Sequence, residues 1–105
     1  MADVNVQFNN GQVTVSPMQT PMHGPGAITF HKEPANATWS ITSVNGLQGW
    51  QQSPGNSGVY VVHDPYTTPL RSYPYTVTIT DAQGGTHTGP TTVTLTDPPI
   101  IMNET

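Results

Sequence analysis

The chain contains no cysteine. It therefore has no disulfide framework, no thiolate nucleophile and no thiolate ligand for a metal. A blue-copper centre, which needs a thiolate beside two imidazoles, is excluded although histidine and methionine are present. Basic residues are nearly as scarce. Lys32 and Arg71 stand against six acidic residues, for a formal charge of −4. Two cations cannot neutralise a run of phosphates, which argues against nucleic-acid binding or charge-driven attachment to an anionic membrane. No apolar run approaches the roughly 18 residues of a membrane span. The first twenty residues show neither the basic nor the apolar region of a secretory signal, which makes the cytoplasm the default expectation. Sustained 3.6-residue periodicity is missing too, so amphipathic helices are not expected.

What remains is a chain of 105 residues, read as a single domain with an ordered core from about residue 3 to 103. Threonine alone outnumbers the two basic and six acidic residues combined, and Gly 10 and Pro 11 supply frequent punctuation. The dominant period is two. In Val4-Asn5-Val6-Gln7-Phe8 and again in Gln12-Val13-Thr14-Val15-Ser16, apolar side chains alternate with polar ones. Asn9-Asn10-Gly11 between them is a turn signal, and the first sixteen residues read as a hairpin. Residues 17–26, with three prolines and two glycines, read as loop. Ala27–His31 and Ala37–Val44 read as the next strands, the second slipping phase by Val44, which points to a bulge or to the strand end near Thr42-Ser43. Residues 45–58 read as a polar loop holding Leu47 and Trp50.

Gly58–His63 is apolar on both sides, the pattern of a strand covered on both faces. After a second loop at 64–72, Tyr73–Asp81 gives the clearest alternation in the chain. Ala82-Gln83-Gly84-Gly85 reads as a hairpin turn, Thr91–Thr96 as a strand with Val93 and Leu95 inward, and the tail Asp97–Asn103 as adding a short terminal strand. Short strands separated by turn signals every 8–14 residues predict an all-β fold: an antiparallel two-sheet immunoglobulin-like β-sandwich of about seven or eight strands.

Trp39 in a mid-chain strand and Tyr73-x-Tyr75-x-Val77 resemble the core tryptophan and tyrosine corner of immunoglobulin-like domains. Ser16-Pro17 after the first hairpin, the strand near Ile28-Phe30, Tyr75–Asp81 and the ending Asp97-Pro98-Pro99-Ile100-Ile101-Met102-Asn103-Glu104 resemble the bacterial DP-EP family of small all-β proteins. The similarity spans nearly the whole chain, with Thr105 where a final proline is expected. It implies a β-sandwich and transfers no catalytic residue.

Three groups of residues carry chemistry. Trp50 lies among glycine and amide residues, with Tyr66 and Tyr73 in and beside the other long loop. Aromatic rings bordered by amides and hydroxyls stack on sugar C–H groups, so these three are candidate carbohydrate-binding residues. The alternative reading folds Trp50 and Leu47 back as a lid over one end of the sandwich. Met18, Met22 and His23 place two thioethers and an imidazole within six residues, a candidate soft-metal set for copper. Asp64, Asp81 and Asp97 stand at strand ends, where aspartate commonly bonds its own backbone. No nucleophile-elbow pattern surrounds any serine, so no enzyme and no resident cofactor are expected.

Natural sheets protect their edges with lysine, proline or bulges. With two basic residues available, and outward positions mostly threonine, the sequence points to a non-catalytic binding or assembly module. Its contact surface is a strand edge or a Thr-rich face, its partner a protein or a second copy of itself.

Overall fold

The computed structural model describes residues 2–9, 11–17, 19–34, 36–54, 59–67, 70–89 and 99–104. Among the described residues there are eleven strands and no helix. They are β1 (Ala2–Asn9), β2 (Gln12–Ser16), β3 (Gln19–Met22), β4 (Gly26–Glu33), β5 (Ser40–Asn45), β6 (Gln51–Pro54), β7 (Val59–Asp64), β8 (Arg71–Pro74), β9 (Thr76–Thr80), β10 (Thr86–Gly89) and β11 (Ile100–Asn103). The strand expected over Thr91–Thr96, with Val93 and Leu95, lies outside the described residues. Three sheets form, in the orders β2-β1-β4-β7-β6, β10-β9-β5 and β3-β11-β8.

The first hairpin follows from its residues. β1 and β2 pair antiparallel down to Asn9 opposite Gln12, and Gly11 takes the positive φ (77°) that the turn requires. Val4, Val6, Val13 and Val15 point inward while Asn5, Gln7, Gln12 and Thr14 face solvent. The bulge read at Thr42-Ser43 is present as a register shift between Ile41 and Ser43. The terminal strand is present as β11, with Ile101 buried.

The expectation of purely antiparallel pairing needs correction. β1 runs parallel to β4, and β3 parallel to β11. The cause is the path of the chain: β2 folds back to one edge, β3 crosses into another sheet, and β4 returns beside β1 in the same direction. The strand count is also higher than seven or eight. Two of the expected loops contain edge strands, β3 and β6, the residues that follow the Gly84-Gly85 turn form β10, and the long alternating run at 73–81 divides into β8 and β9. The division falls at Tyr75, where the chain passes from one sheet to another. Gly46 packs against this junction. A side chain at 46, whose φ is 100°, would meet the Pro74 carbonyl at 2.6 Å, so only glycine lets the two backbones approach.

The core fills the space between inward faces. Val4, Val6, Val13, Ile28, Phe30 and Val62 from the five-stranded sheet meet Ile41, Val44, Val77 and Ile79 from the β10-β9-β5 sheet. The Phe30 and Tyr75 rings meet edge to face at 5.4 Å. The sheets are tied at their margins as well: Gln52 Oε1 accepts hydrogen bonds from Val44 N–H (3.3 Å) and from the Tyr60 hydroxyl (3.1 Å), joining β5, β6 and β7. β7 is covered on one side rather than both. Tyr60, Val62 and Asp64 are buried, while Val59 and Val61 are half-exposed and His63 faces solvent. The result is an all-β, sandwich-like fold with mixed pairing.

Candidate functional site

The outward face of the β10-β9-β5 sheet is made of hydroxyls and amides. Strand alternation sends Val77 and Ile79 inward and Thr76, Thr78 and Thr80 outward. Thr88 lies opposite Thr78, and Thr86 opposite Thr80. The hydroxyls of Thr78 and Thr88 are 2.9 Å apart, and Asn45 Nδ2 donates to Thr78 Oγ1 at 3.0 Å and to Thr76 Oγ1 at 3.4 Å. Thr42 donates to the Thr78 carbonyl at 3.1 Å and accepts from Thr80 at 3.4 Å. Cross-strand threonine pairs stabilise sheets. Here they also create an uncharged surface rich in donors and acceptors.

Of the three aromatic residues, two come together. Trp50 and Tyr73 meet edge to face with ring centroids 4.9 Å apart, both half-buried against the core. Trp50 N–H donates to the Leu47 carbonyl (3.2 Å), and Leu47 is buried. Tyr66 stands apart from this pair. Its φ is 55°, and its N–H is held by Asp64 Oδ1 at 2.8 Å. The Arg71 guanidinium, which the sequence reading left aside, sits 5.2 Å above the Tyr73 ring. Its signal was present in the i, i+2 spacing of Arg71 and Tyr73, which places both on one side of a strand.

Of the soft-metal residues, Met22 and His23 face different surroundings. Met22 is buried, with its methyl group against Gly26, whereas His23 is exposed and lies 3.7 Å from Glu104. Alternation along and just beyond β3 sends neighbours to opposite sides. Met18 lies outside the described residues. Among the described residues no three His, Asp or Glu side chains form a metal-holding group. A cleft of about 620 Å³ opens here, with Pro17, Pro21, Pro25 and His23 in its lining.

Two aspartates take the turn role. Asp64, fully buried, holds the Tyr66 N–H. Asp81 Oδ1 accepts from Gln83 N–H (3.0 Å) and Gly85 N–H (2.9 Å), and its Oδ2 lies 2.8 Å from His87 Nε2. Asp97 lies outside the described residues. The hydrogen bond from His87, then that from Gly85, holds the Asp81 carboxyl below its ordinary range, against a small opposing effect of burial. A carboxyl with a depressed folded pKa contributes stability above its unfolded value of about 3.9. That contribution is lost as pH falls through the folded value. Asp81→Asn is therefore expected to lower the urea midpoint at neutral pH and flatten its decline below about pH 4. Midpoints measured across that range check this, and an acid limb identical to that of the parent protein rules Asp81 out as its source.

Tyr75 is buried and, among the described residues, its hydroxyl completes no hydrogen bond, so it forms no phenol-to-backbone bond of a tyrosine corner with them. Burial pushes its phenol far up; the nearby Thr20 hydroxyl offsets part of this without completing a bond.

No protein-family model matches the chain, and comparison with curated proteins gives no match.

Proposed function

We propose that the protein is a non-catalytic binding or assembly module, and that its contact surface is the hydroxyl face of β5, β9 and β10. The observation that carries this reading is the cross-strand array of Thr42, Asn45, Thr76, Thr78, Thr80 and Thr88, which presents hydrogen-bonding groups without a charge to desolvate. Burying paired polar groups costs far less than burying ions. A second copy of the chain is the simplest partner, because one such face complements itself about a two-fold axis. The titratable side chains support a non-catalytic role, since Asp64 and Asp81 are engaged in holding turns. The same proposal takes the fold as an immunoglobulin-like sandwich that resembles the DP-EP family. The packing of two inner apolar faces supports this reading, and Trp39 is buried as expected although it stands just before β5 rather than within a strand.

Thr78 is at the centre of the array. In a symmetric pair, Thr78→Lys brings like charges together, which costs several kcal/mol across an interface. The substitution is expected to weaken self-association by about tenfold or more. Sedimentation equilibrium over a range of concentrations measures this. A parent protein that stays monomeric at the highest concentration, or a Thr78→Lys variant that associates equally well, overturns the reading.

A further inference from the structure

The two basic residues have different fates. Lys32 Nζ donates to the carbonyls of Ala37 (2.6 Å) and Trp39 (2.9 Å), so its charge is committed to holding the backbone. Arg71 is exposed and has no carboxylate partner among the described residues. In a chain of net charge −4, it is the one cation beyond the histidines left free of such commitment among the described residues.

Its surroundings organise it. Arg71 and Tyr73 lie on β8, opposite Asn103 and Ile101 of β11. The guanidinium rests over Tyr73, and Tyr73 is braced by Trp50. A guanidinium stacked on a ring retains its planar fork of donors and loses less freedom when it binds. Leu70, immediately before Arg71, is 76% exposed, the largest such exposure of a big apolar side chain among the described residues. Its φ of 61° is one that leucine rarely adopts. Gln48 and Gln51, on either side of Trp50 in the chain, are exposed amides. Tryptophan, tyrosine and arginine together are the residue types that dominate binding surfaces.

We infer that Arg71, Tyr73 and Trp50 form a binding site for an acidic polysaccharide built of uronic acid units. The guanidinium fork matches the sugar carboxylate, which accepts two parallel N–H bonds. The exposed parts of Trp50 and Leu70 offer apolar contact to the pyranose C–H groups, and the two glutamines reach hydroxyls. An acidic peptide is the poorer fit. β8 has only four residues and ends in Pro74, so as an edge it offers few donors for an added strand. This site lies on β8, the β5–β6 connection and the start of β6, uses none of the residues of the hydroxyl array, and stands or falls independently of it.

The test is a tryptophan-fluorescence and calorimetric titration of the whole chain. The probes are oligogalacturonate, oligomannuronate, neutral galactan oligomers of the same length, and poly-glutamate. At least one uronate oligomer is expected to bind saturably and perturb Trp50, while the neutral oligomer and poly-glutamate bind at least about tenfold more weakly. Arg71→Gln is expected to weaken uronate binding about tenfold or more, and Arg71→Lys to recover only part of it. Trp50→Phe is expected to weaken it less than Arg71→Gln. Urea midpoints of the variants identify any that fail to fold. Failure of both uronate oligomers to bind, equal binding of the neutral oligomer or poly-glutamate, or binding indifferent to Arg71→Gln in a folded variant each overturns the proposal.

Discussion

Phe30→Ala is expected to remove about 3–5 kcal/mol of stability, the range for deleting a buried phenylalanine ring. The residue is fully buried on β4, the middle strand of the five-stranded sheet. Its neighbours in register are Val4 on β1 and Tyr60 on β7, and its ring meets Tyr75 from across the core. The alanine variant therefore loses contacts to two strands of its own sheet and to the chain segment that joins β8 to β9. None of these groups can collapse into the gap without breaking strand register. Since a domain of this size has a net stability of about 5–15 kcal/mol, the loss approaches the whole margin. Phe30→Leu, which keeps more volume, is expected to lose clearly less. Urea titration followed by tryptophan fluorescence gives the measurement, with the midpoint lowered and the slope retained. A loss below about 1 kcal/mol means that the ring does not lie between the sheets as described.

The inward residues of that core were legible in the sequence because alternation is a local property. Val4, Val6, Ile28, Phe30, Val77 and Ile79 were each placed by the residue on either side of them, and all are buried. The Asn-Gly turn and the bulge at Thr42 were legible for the same reason. β3 and β6 were not. Each is an edge strand, paired on one side only, so proline and polar residues are tolerated along it. Pro21 within β3 has an amide nitrogen that donates to nothing, and an edge position makes that harmless. The parallel pairings were illegible for a different reason. Which strand lies beside which is decided by the path between sheets, and no pattern within β1 or β4 records it.

The candidate sites divide in a similar way. The hydroxyl face follows from outward threonines on β9, which alternation shows directly. That Trp50 reaches Tyr73 and Tyr66 does not depends on where β6 enters its sheet, a nonlocal fact. Met22 and His23 looked like partners by proximity in the chain. The pleat separates them, one into the core and one to solvent.

Lys32→Met is expected to cost about 2–3 kcal/mol, the next largest effect, through the crossover from β4 to β5. These strands belong to different sheets, so residues 34–39 carry the chain from one layer to the other. Among its described residues the crossover has few backbone bonds of its own. Ala37 N–H donates to the Pro34 carbonyl at 3.0 Å, and the carbonyls of Ala37 and Trp39 are held by the Lys32 ammonium. Trp39 is seated in the core at the end of this segment, its ring 6.1 Å from that of Phe8. Methionine has similar length and flexibility but no donor and no charge, so it preserves packing while both bonds are lost. Hydrogen bonds to a charged group are worth about 1.5–3 kcal/mol each. The half-exposed setting lets water replace part of that, which brings two bonds down to the expected total. The substitution also raises the net negative charge by one, and salt separates the two causes. Repulsion among surface carboxylates is screened at high ionic strength, whereas the missing bonds to the carbonyls are not restored by salt. Urea midpoints at low and high salt should therefore show the same deficit in both. A deficit that disappears in high salt assigns the effect of Lys32 to charge balance and removes it as the fastening of the crossover.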